Sequence, residues 1–348
     1  MVNVLIVDDS VFMRTVIRDM IEKDPSINVV GTASNGIDAL EKIKTLGPDL
    51  ITLDIEMPKM DGIEVLRELR KITAVPKIIM LSSLTSKGAE MTVEAIRLGA
   101  DDFMLKPTDM PHLREIGNEL VAKIKHLVAL KTVPSVAAKP GITHTAPAER
   151  ILLIGSSAGG PPQLDVLLAN LPADLPAVIV ITQHMPVGFT APLAARFNRL
   201  ANMPVKETEN GDILETGKIF VSKAGVHTII NAEINTSHVK TGRIVHSNSP
   251  PVHAVRPAVD KTFESAAKVY GKNAVCVILS GMGNDAGEGA LAIKNAGGVC
   301  LICDEKDCLV YGMARSAIQK NAVNQVLPLR KLPDAIVRII HTMEAEHV

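Results

Sequence analysis

Two groups of residues have types and spacings that could do chemistry. In the first, Asp8 and Asp9 follow the apolar run Val4-Leu5-Ile6-Val7, and Asp54 closes the run Leu50 to Leu53. As adjacent strands of a parallel sheet, these runs bring three carboxylates to one edge. Crowded like charges are unfavourable unless a divalent cation lies among them, and an all-oxygen donor set with waters suits Mg²⁺. Ser82 ends a further apolar run, and Lys106 another, followed by Pro107. A hydroxyl and an ammonium facing the carboxylates would stabilise a phosphoryl group carried on one of them. A single strand-end Asp is often only a helix cap. Five such residues on four strand ends make a site.

The second group begins at Ser157, in Ile154-Gly155-Ser156-Ser157-Ala158-Gly159-Gly160, where a strand turns into a helix. This differs from the G-x-S-x-G elbow of α/β-hydrolases, and phosphate binding at a Gly-rich helix N-terminus is the plainer reading. His184 follows the strand Val178 to Gln183, and Asp285 follows Val275 to Ser280 in the loop Gly281-Met282-Gly283-Asn284-Asp285. A Ser, a His and an Asp on three strand ends of one sheet are the parts of an acyl-transfer triad, to be tested by geometry. The Gly281 loop also satisfies a dinucleotide fingerprint, with Asp304 where a ribose-binding acid would lie. Against that reading, Asp285 would place a carboxylate beside the pyrophosphate, and the motif comes late in its domain.

The elements that must position these residues are those of two α/β domains. In residues 1–130, strands at 2–7, 29–33, 50–53, 77–81 and 103–105 alternate with helical patterns at 61–71, 87–98 and 110–130. Five βα units predict a flavodoxin-like, five-stranded parallel sheet. Residues 131–149 dissolve into Thr, Pro, Ala, Ser, Lys and Gly and read as a flexible linker. Residues 150–348 resume with strands at 151–154, 177–182, 205–207, 218–221, 274–279 and 299–303. Helices are expected at 162–170, 191–200, 259–269, 287–295, 313–320 and 332–346. A second doubly wound α/β domain follows. Residues 228–247 read as a hairpin, with turn chemistry at Glu233-Ile234-Asn235 and at Lys240-Thr241-Gly242.

Composition narrows the function classes. The 348 residues are 47% hydrophobic, enough for two cores and a linker. Lys+Arg number 37 against 38 Asp+Glu, and Trp is absent with aromatics at 2%. Neither a basic nucleic-acid surface nor a base-stacking platform is expected. No leader-like segment precedes Val4 and no apolar run reaches membrane-spanning length, so a soluble cytoplasmic protein without membrane insertion is expected. Cys300 and Cys303 have C-x2-C spacing, but in a strand residues three apart face opposite ways, which favours buried structural thiols over a zinc site.

The first group resembles the receiver domain of bacterial two-component response regulators. Asp8-Asp9, Asp54-Ile55-Glu56-Met57-Pro58, Asp61-Gly62, Ser82-Ser83 and Lys106-Pro107 all match that family. The resemblance implies Asp54 as phospho-acceptor, with Mg²⁺ held by Asp8, Asp9, Asp54 and the Glu56 carbonyl. It implies Ser82 as switch hydroxyl, Phe103 as switch aromatic, Lys106 as phosphate contact and a histidine kinase as phosphodonor.

The second group resembles the chemotaxis protein-glutamate methylesterases, the CheB family. The matching runs are Gly155 to Gly160, Gln183-His184-Met185-Pro186-Val187-Gly188-Phe189-Thr190, Gly281 to Asp285 and Tyr311-Gly312-Met313. That resemblance implies Ser157 as nucleophile, His184 as general base, Asp285 as its orienter and the Met282 backbone N–H in the oxyanion hole. It implies hydrolysis of glutamyl methyl esters, and deamidation of glutamines, on methyl-accepting chemotaxis receptors, with no cofactor for the esterase. Ala158, Ala286-Gly287, Cys303 and Ala314 depart from the family's usual Thr, Gly-Ala, Gln and Pro. These departures bear on rate and substrate fit more than on the chemistry.

Overall fold

Near-continuous apolar strands need cover on both faces, and parallel sheets flanked by helices supply it. The computed structural model describes residues 1–71, 75–82, 91, 94–95, 98–106, 113–129, 146–234 and 240–343. The chain divides into two units, Met1–Thr132 and Val133–Val348.

In the first unit, β1 (Val2–Val7), β2 (Ile27–Ala33), β3 (Leu50–Asp54), β4 (Lys77–Ser82) and β5 (Asp102–Leu105) form one parallel sheet of order β2-β1-β3-β4-β5. Alternation along β1 splits the core. Leu5 and Val7 pack with residues of α2 (Gly36–Leu46) and α3 (Gly62–Leu69), while Val4 and Ile6 pack with α1 (Val11–Ile21) and α4 (Leu113–Ala129). Strand order reverses between β1 and β3, which opens a crevice at their carboxyl ends. Asp61 caps α3 in a capping box with Glu64. Gly62 must follow, because a Cβ there would lie 2.2 Å from the Asp54 carbonyl oxygen. The helix expected at 87–98, apart from residues 91, 94–95 and 98, falls outside the described residues, as do Ser83, Pro107 and linker residues 131–145.

In the second unit, seven parallel strands run in the order β14-β13-β12-β6-β7-β9-β8. These are β6 (Ile151–Ser156), β7 (Val178–Gln183), β8 (Val205–Glu207), β9 (Ile219–Val221), β12 (Ala274–Ile278), β13 (Val299–Cys303) and β14 (Gln325–Leu327). Sequence patterning missed β14, a three-residue edge strand too short to show a period. Order reverses between β6 and β12, so the crevice lies between the ends of β12, β6 and β7. Around the sheet lie α5 (Gly160–Asn170), α6 (Thr190–Leu200), α7 (Val259–Tyr270), α8 (Gly287–Asn295), α9 (Gly312–Gln319) and α10 (Leu332–Thr342).

The hairpin pairs β10 (His227–Ile234) with β11 (Lys240–Ser247). Lys240, Thr241 and Gly242 are ladder residues rather than a turn, opposite Ile234, Glu233 and Ala232. Gly242 is there for space, since a Cβ would lie 2.7 Å from Ile230, 2.8 Å from Leu214 and 3.0 Å from the Tyr270 hydroxyl. Ala148 and Thr216 tie residues 146–148 to this unit through backbone bonds to Leu214 and Ala146.

Candidate functional site

At the β1–β3 crevice of the first unit, Asp8 and Asp54 are buried and Asp9 is exposed. Their carboxylate oxygens lie within 4.8 Å of one another. Lys106 reaches in from the end of β5, with Nζ 2.8 Å from Asp8 and 2.7 Å from Asp54. Burial pushes the Asp54 carboxyl up to about 6, with Lys106 pulling it down and the Asp8 charge pushing it up. Burial also works against the Lys106 charge, but its bonds to Asp54 and Asp8 raise it above the ordinary lysine range. Three carboxylates against one ammonium leave a donor set of hard oxygens with surplus negative charge, which fits a divalent cation such as Mg²⁺. Asp54 Oδ1 accepts the Glu56 N–H at 3.3 Å, and Phe103 packs half-buried against the core. Ser82 closes β4; its side chain lies outside the described residues.

The second unit separates the two adjacent serines. Ser156 is fully buried and its hydroxyl donates to Gln183 Oε1 at 2.6 Å. Ser157, one residue past the strand, is half-buried. Its N–H donates to the Ser280 carbonyl at 2.9 Å, which ties it to the end of β12. The Gln183 amide nitrogen donates to the carbonyls of both Ser157 and His184, each at 2.9 Å. The His184 N–H in turn donates to the Ser156 carbonyl at 3.0 Å. One buried amide thus clamps the two strand ends that carry the serine and the histidine.

His184 Nε2 lies 2.7 Å from Asp285 Oδ2. Asp285 is 1% exposed and receives backbone N–H bonds from Val259 (2.6 Å), Asp260 (2.9 Å) and Ala286 (2.9 Å). Two of those donors open α7, whose N-terminus favours negative charge. Burial favours the neutral acid, yet His184 and these backbone donors hold the Asp285 carboxyl below its usual range. No hydrogen bond joins the Ser157 hydroxyl to His184 here, so two of the three expected residues are bonded and the third stands on the neighbouring strand end. Such catalytic bonds often tighten only with substrate.

The loop after β12 lies close beside Ser157. A Cβ on Gly281 would lie 2.1 Å from Met313 Sδ and 3.2 Å from Ser157 Cβ, so only glycine lets the loop pass. Met282 is 72% exposed, and its N–H has no acceptor among the described residues. Asp304, the acid of the alternative dinucleotide fingerprint, accepts the Lys306 N–H at 3.0 Å. Cys300 pairs in register with Cys276, whereas Cys303 meets Cys308 beside the Gln163 amide.

Sequence reasoning missed Gln183, Gln163 and Ser280. Gln163 Oε1 accepts the Ser280 N–H at 2.7 Å, and the Ser280 hydroxyl donates to the Ala158 carbonyl at 2.6 Å. The available signal was a polar residue ending an apolar strand or facing inward on a helix start, a position that burial makes costly without partners.

A crevice of three carboxylates and a lysine in one unit, and a crevice flanked by Ser157, His184 and Asp285 in the other, fit a receiver joined to a serine-type hydrolase. Residues 4–118 match the response regulator receiver domain and residues 152–336 match the CheB methylesterase family. A protein-glutamate methylesterase/protein-glutamine glutaminase of Methanospirillum hungatei is 55% identical over 99% of each chain. The Thermotoga maritima protein of that name is 40% identical, covering 97% of this chain and 98% of its own. The crystal structure of the Thermotoga maritima CheB methylesterase catalytic domain superposes with a TM-score of 0.52 at 37% identity, covering 55% of this chain and 98% of that domain. This chain belongs to the CheB methylesterase family. It is a methylesterase of the serine-hydrolase class with a response regulator receiver. Among the described residues no helix is long and apolar enough to cross a membrane.

Proposed function

We propose that this chain hydrolyses γ-glutamyl methyl esters on cytoplasmic segments of chemotaxis receptors, and deamidates glutamines there, under control of Asp54 phosphorylation. The observation that carries the chemistry is the His184–Asp285 bond of 2.7 Å, with Asp285 held ionised at a helix N-terminus and Ser157 on the adjacent strand end. With Nε2 committed to Asp285, Nδ1 of His184 is the nitrogen available to Ser157. His184 takes the Ser157 proton as the hydroxyl attacks the ester carbonyl. The Met282 N–H, without an acceptor among the described residues, is suited to hold the oxyanion, a role worth roughly 3–4 kcal/mol per donor. The tetrahedral adduct collapses, methanol leaves with the proton from His184, and water then cleaves the acyl-enzyme to give glutamate. With an amide the leaving group is ammonia.

In the receiver, Asp8, Asp9, Asp54 and the Glu56 carbonyl would hold Mg²⁺, which would neutralise the oxygens of an incoming phosphoryl group. Asp54 accepts that group from a histidine kinase, Lys106 binds its oxygens, and Ser82 and Phe103 respond as the switch. Methanol release from methylated receptor membranes tests the reading: it should vanish in Ser157→Ala and His184→Ala, and turnover surviving either change would refute the triad.

A further inference from the structure

Beside the triad lies a buried acid that the mechanism above does not use. Asp260, in the first turn of α7, is 2% exposed. A carboxylate oxygen of Asp260, one of Asp285 and a ring nitrogen of His253 lie within 4.8 Å of one another. Oδ1 of Asp260 accepts the Gly289 N–H at 2.7 Å, and Oδ2 lies 3.1 Å from His253 Nε2. Its own backbone N–H donates to Asp285. Capping Gly289 at the start of α8 needs one acceptor, and an asparagine would serve. The histidine on the second oxygen is superfluous to a cap, yet the loop holds it at φ 52°, in the left-handed region that side chains rarely adopt. All the Asp285 and Asp260 oxygens have N–H partners, so a second histidine–aspartate pair, rather than a metal cage, backs the first.

We propose that Asp260 and His253 are a positioning pair that sets the charge behind Asp285, and through it the pH range in which His184 can take the Ser157 proton. The inference rests on the triad reading. An ionised Asp260 favours the imidazolium of His184 through the intervening carboxylate, and a neutral one does not. Burial drives the Asp260 carboxyl up to about 6; the Gly289 N–H and His253 pull it down while the Asp285 charge pushes it up. Two neighbouring acids are thus driven apart, Asp285 kept ionised and Asp260 titrating near working pH.

Other charges near α7 are spoken for. On β10, buried His227 accepts the Ala258 N–H at Nδ1 and faces the Pro250 carbonyl with Nε2, so both ring nitrogens are engaged away from Asp260. Glu288 of α8 pairs with Lys320, Lys261 of α7 with Glu264, and Arg256 bonds the carbonyls of Asn248 and Ser249. The field at Asp260 is therefore set by the Gly289 N–H, Asp285 and His253.

The test is the pH profile of kcat/KM for basal methanol release by the full chain, each variant expressed relative to wild type so that titration in the receiver cancels. Asp260→Asn should move the acid limb to lower pH by roughly half a unit to one unit, with KM little changed. His253→Ala should shift it the same way but less, because Asp260 loses a partner of its charged form. His253→Gln, whose amide can donate the same bond, should restore the wild-type limb. An unmoved limb in Asp260→Asn, with any loss equal at every pH, reduces Asp260 to a cap and overturns the proposal. If Asp260→Asn does not fold, the exposed His253 decides, and a His253→Ala limb superposing on wild type overturns it. Ser157→Ala and His184→Ala run beside these: turnover in either refutes the triad itself, a failure distinct from an unmoved limb over dead triad variants.

Discussion

Asp285 Oδ2 accepts from His184 Nε2 at 2.7 Å and from the Val259 N–H at 2.6 Å, so one oxygen orients the base and closes a helix N-terminus. An asparagine there must aim its amide at His184 or at backbone donors, and either choice loses a bond. Asp285→Asn should lower kcat by about 10³–10⁴-fold by disfavouring the working tautomer. It should also destabilise the domain by about 1–3 kcal/mol, the cost of a buried group left unpaired. Single-turnover kinetics and denaturant unfolding read the two effects separately. Near-wild-type turnover would show that Asp285 does not orient the base.

Ser156 and Ser157 should behave as opposites. Ser157→Ala removes the hydroxyl with no internal partner and should abolish turnover while leaving stability within about 0.5 kcal/mol. Ser156→Ala strips the donor from Gln183 Oε1, inside the clamp on Ser157 and His184. The expected result is a loss of about 1–3 kcal/mol of stability with most of kcat retained. If Ser156→Ala is the dead enzyme, the nucleophile has been misassigned.

What was legible in the sequence was what repeats or ends an apolar run. Strands such as Ile151–Ser156 and Val299–Cys303 declare themselves because both faces are buried. Strand-end chemistry is similarly visible, since Asp8, Asp54, His184 and Lys106 each follow such a run. Gly242 misled as a turn signal because its reason is steric, a neighbouring tyrosine and leucine brought from 28 residues away in either direction. The clamp of Gln183 and the Asp260–His253 pair were invisible for a related reason. Gln183 closes on serines 26 and 27 residues back, and Asp260, though seven residues from His253, owes its burial to Asp285 and Gly289, 25 and 29 residues on; nothing about a lone Gln or Asp announces what folds against it.

Asp54 should make the receiver less stable at neutral pH. Its folded-state carboxyl is raised from 3.8 to about 6. The folded state therefore binds more protons than the unfolded state between those values, and stability is lost as pH rises through that window. Asp54→Asn removes the penalty, which amounts to at most about 3 kcal/mol. Calorimetry of the full chain without divalent cation should show the receiver transition of Asp54→Asn well above wild type at pH 7. The gap should close towards pH 4, and Mg²⁺ should narrow it by binding the ionised wild-type site. A gap independent of both pH and Mg²⁺ would refute this account of the crevice.

Phosphorylation of Asp54 should raise esterase activity. A phosphoryl group adds nearly two negative charges and three acceptor oxygens to a crevice that already holds Lys106 between Asp8 and Asp54. Lys106 must then redistribute its bonds, and Ser82 at the end of β4 with Phe103 in β5 are the residues expected to respond. A tenfold change in active enzyme requires about 1.4 kcal/mol of differential stability, within reach of charge-assisted bonds to a phosphoryl group. A flexible linker, expected from composition ahead of Ala146, would keep receiver and esterase at high effective concentration, so a weak restraint by the unphosphorylated receiver would suffice. A small-molecule phosphodonor with Mg²⁺ should therefore activate the full chain about tenfold and leave Asp54→Ala unchanged, with methanol release as the readout. Deleting residues 1–145, which spares the backbone bonds of Ala146 and Ala148 to the esterase unit, should raise the basal rate and abolish the response. Equal basal rates for the truncated and full-length proteins would rule out restraint by the receiver, and an undiminished response in Asp54→Ala would rule out Asp54 as its origin.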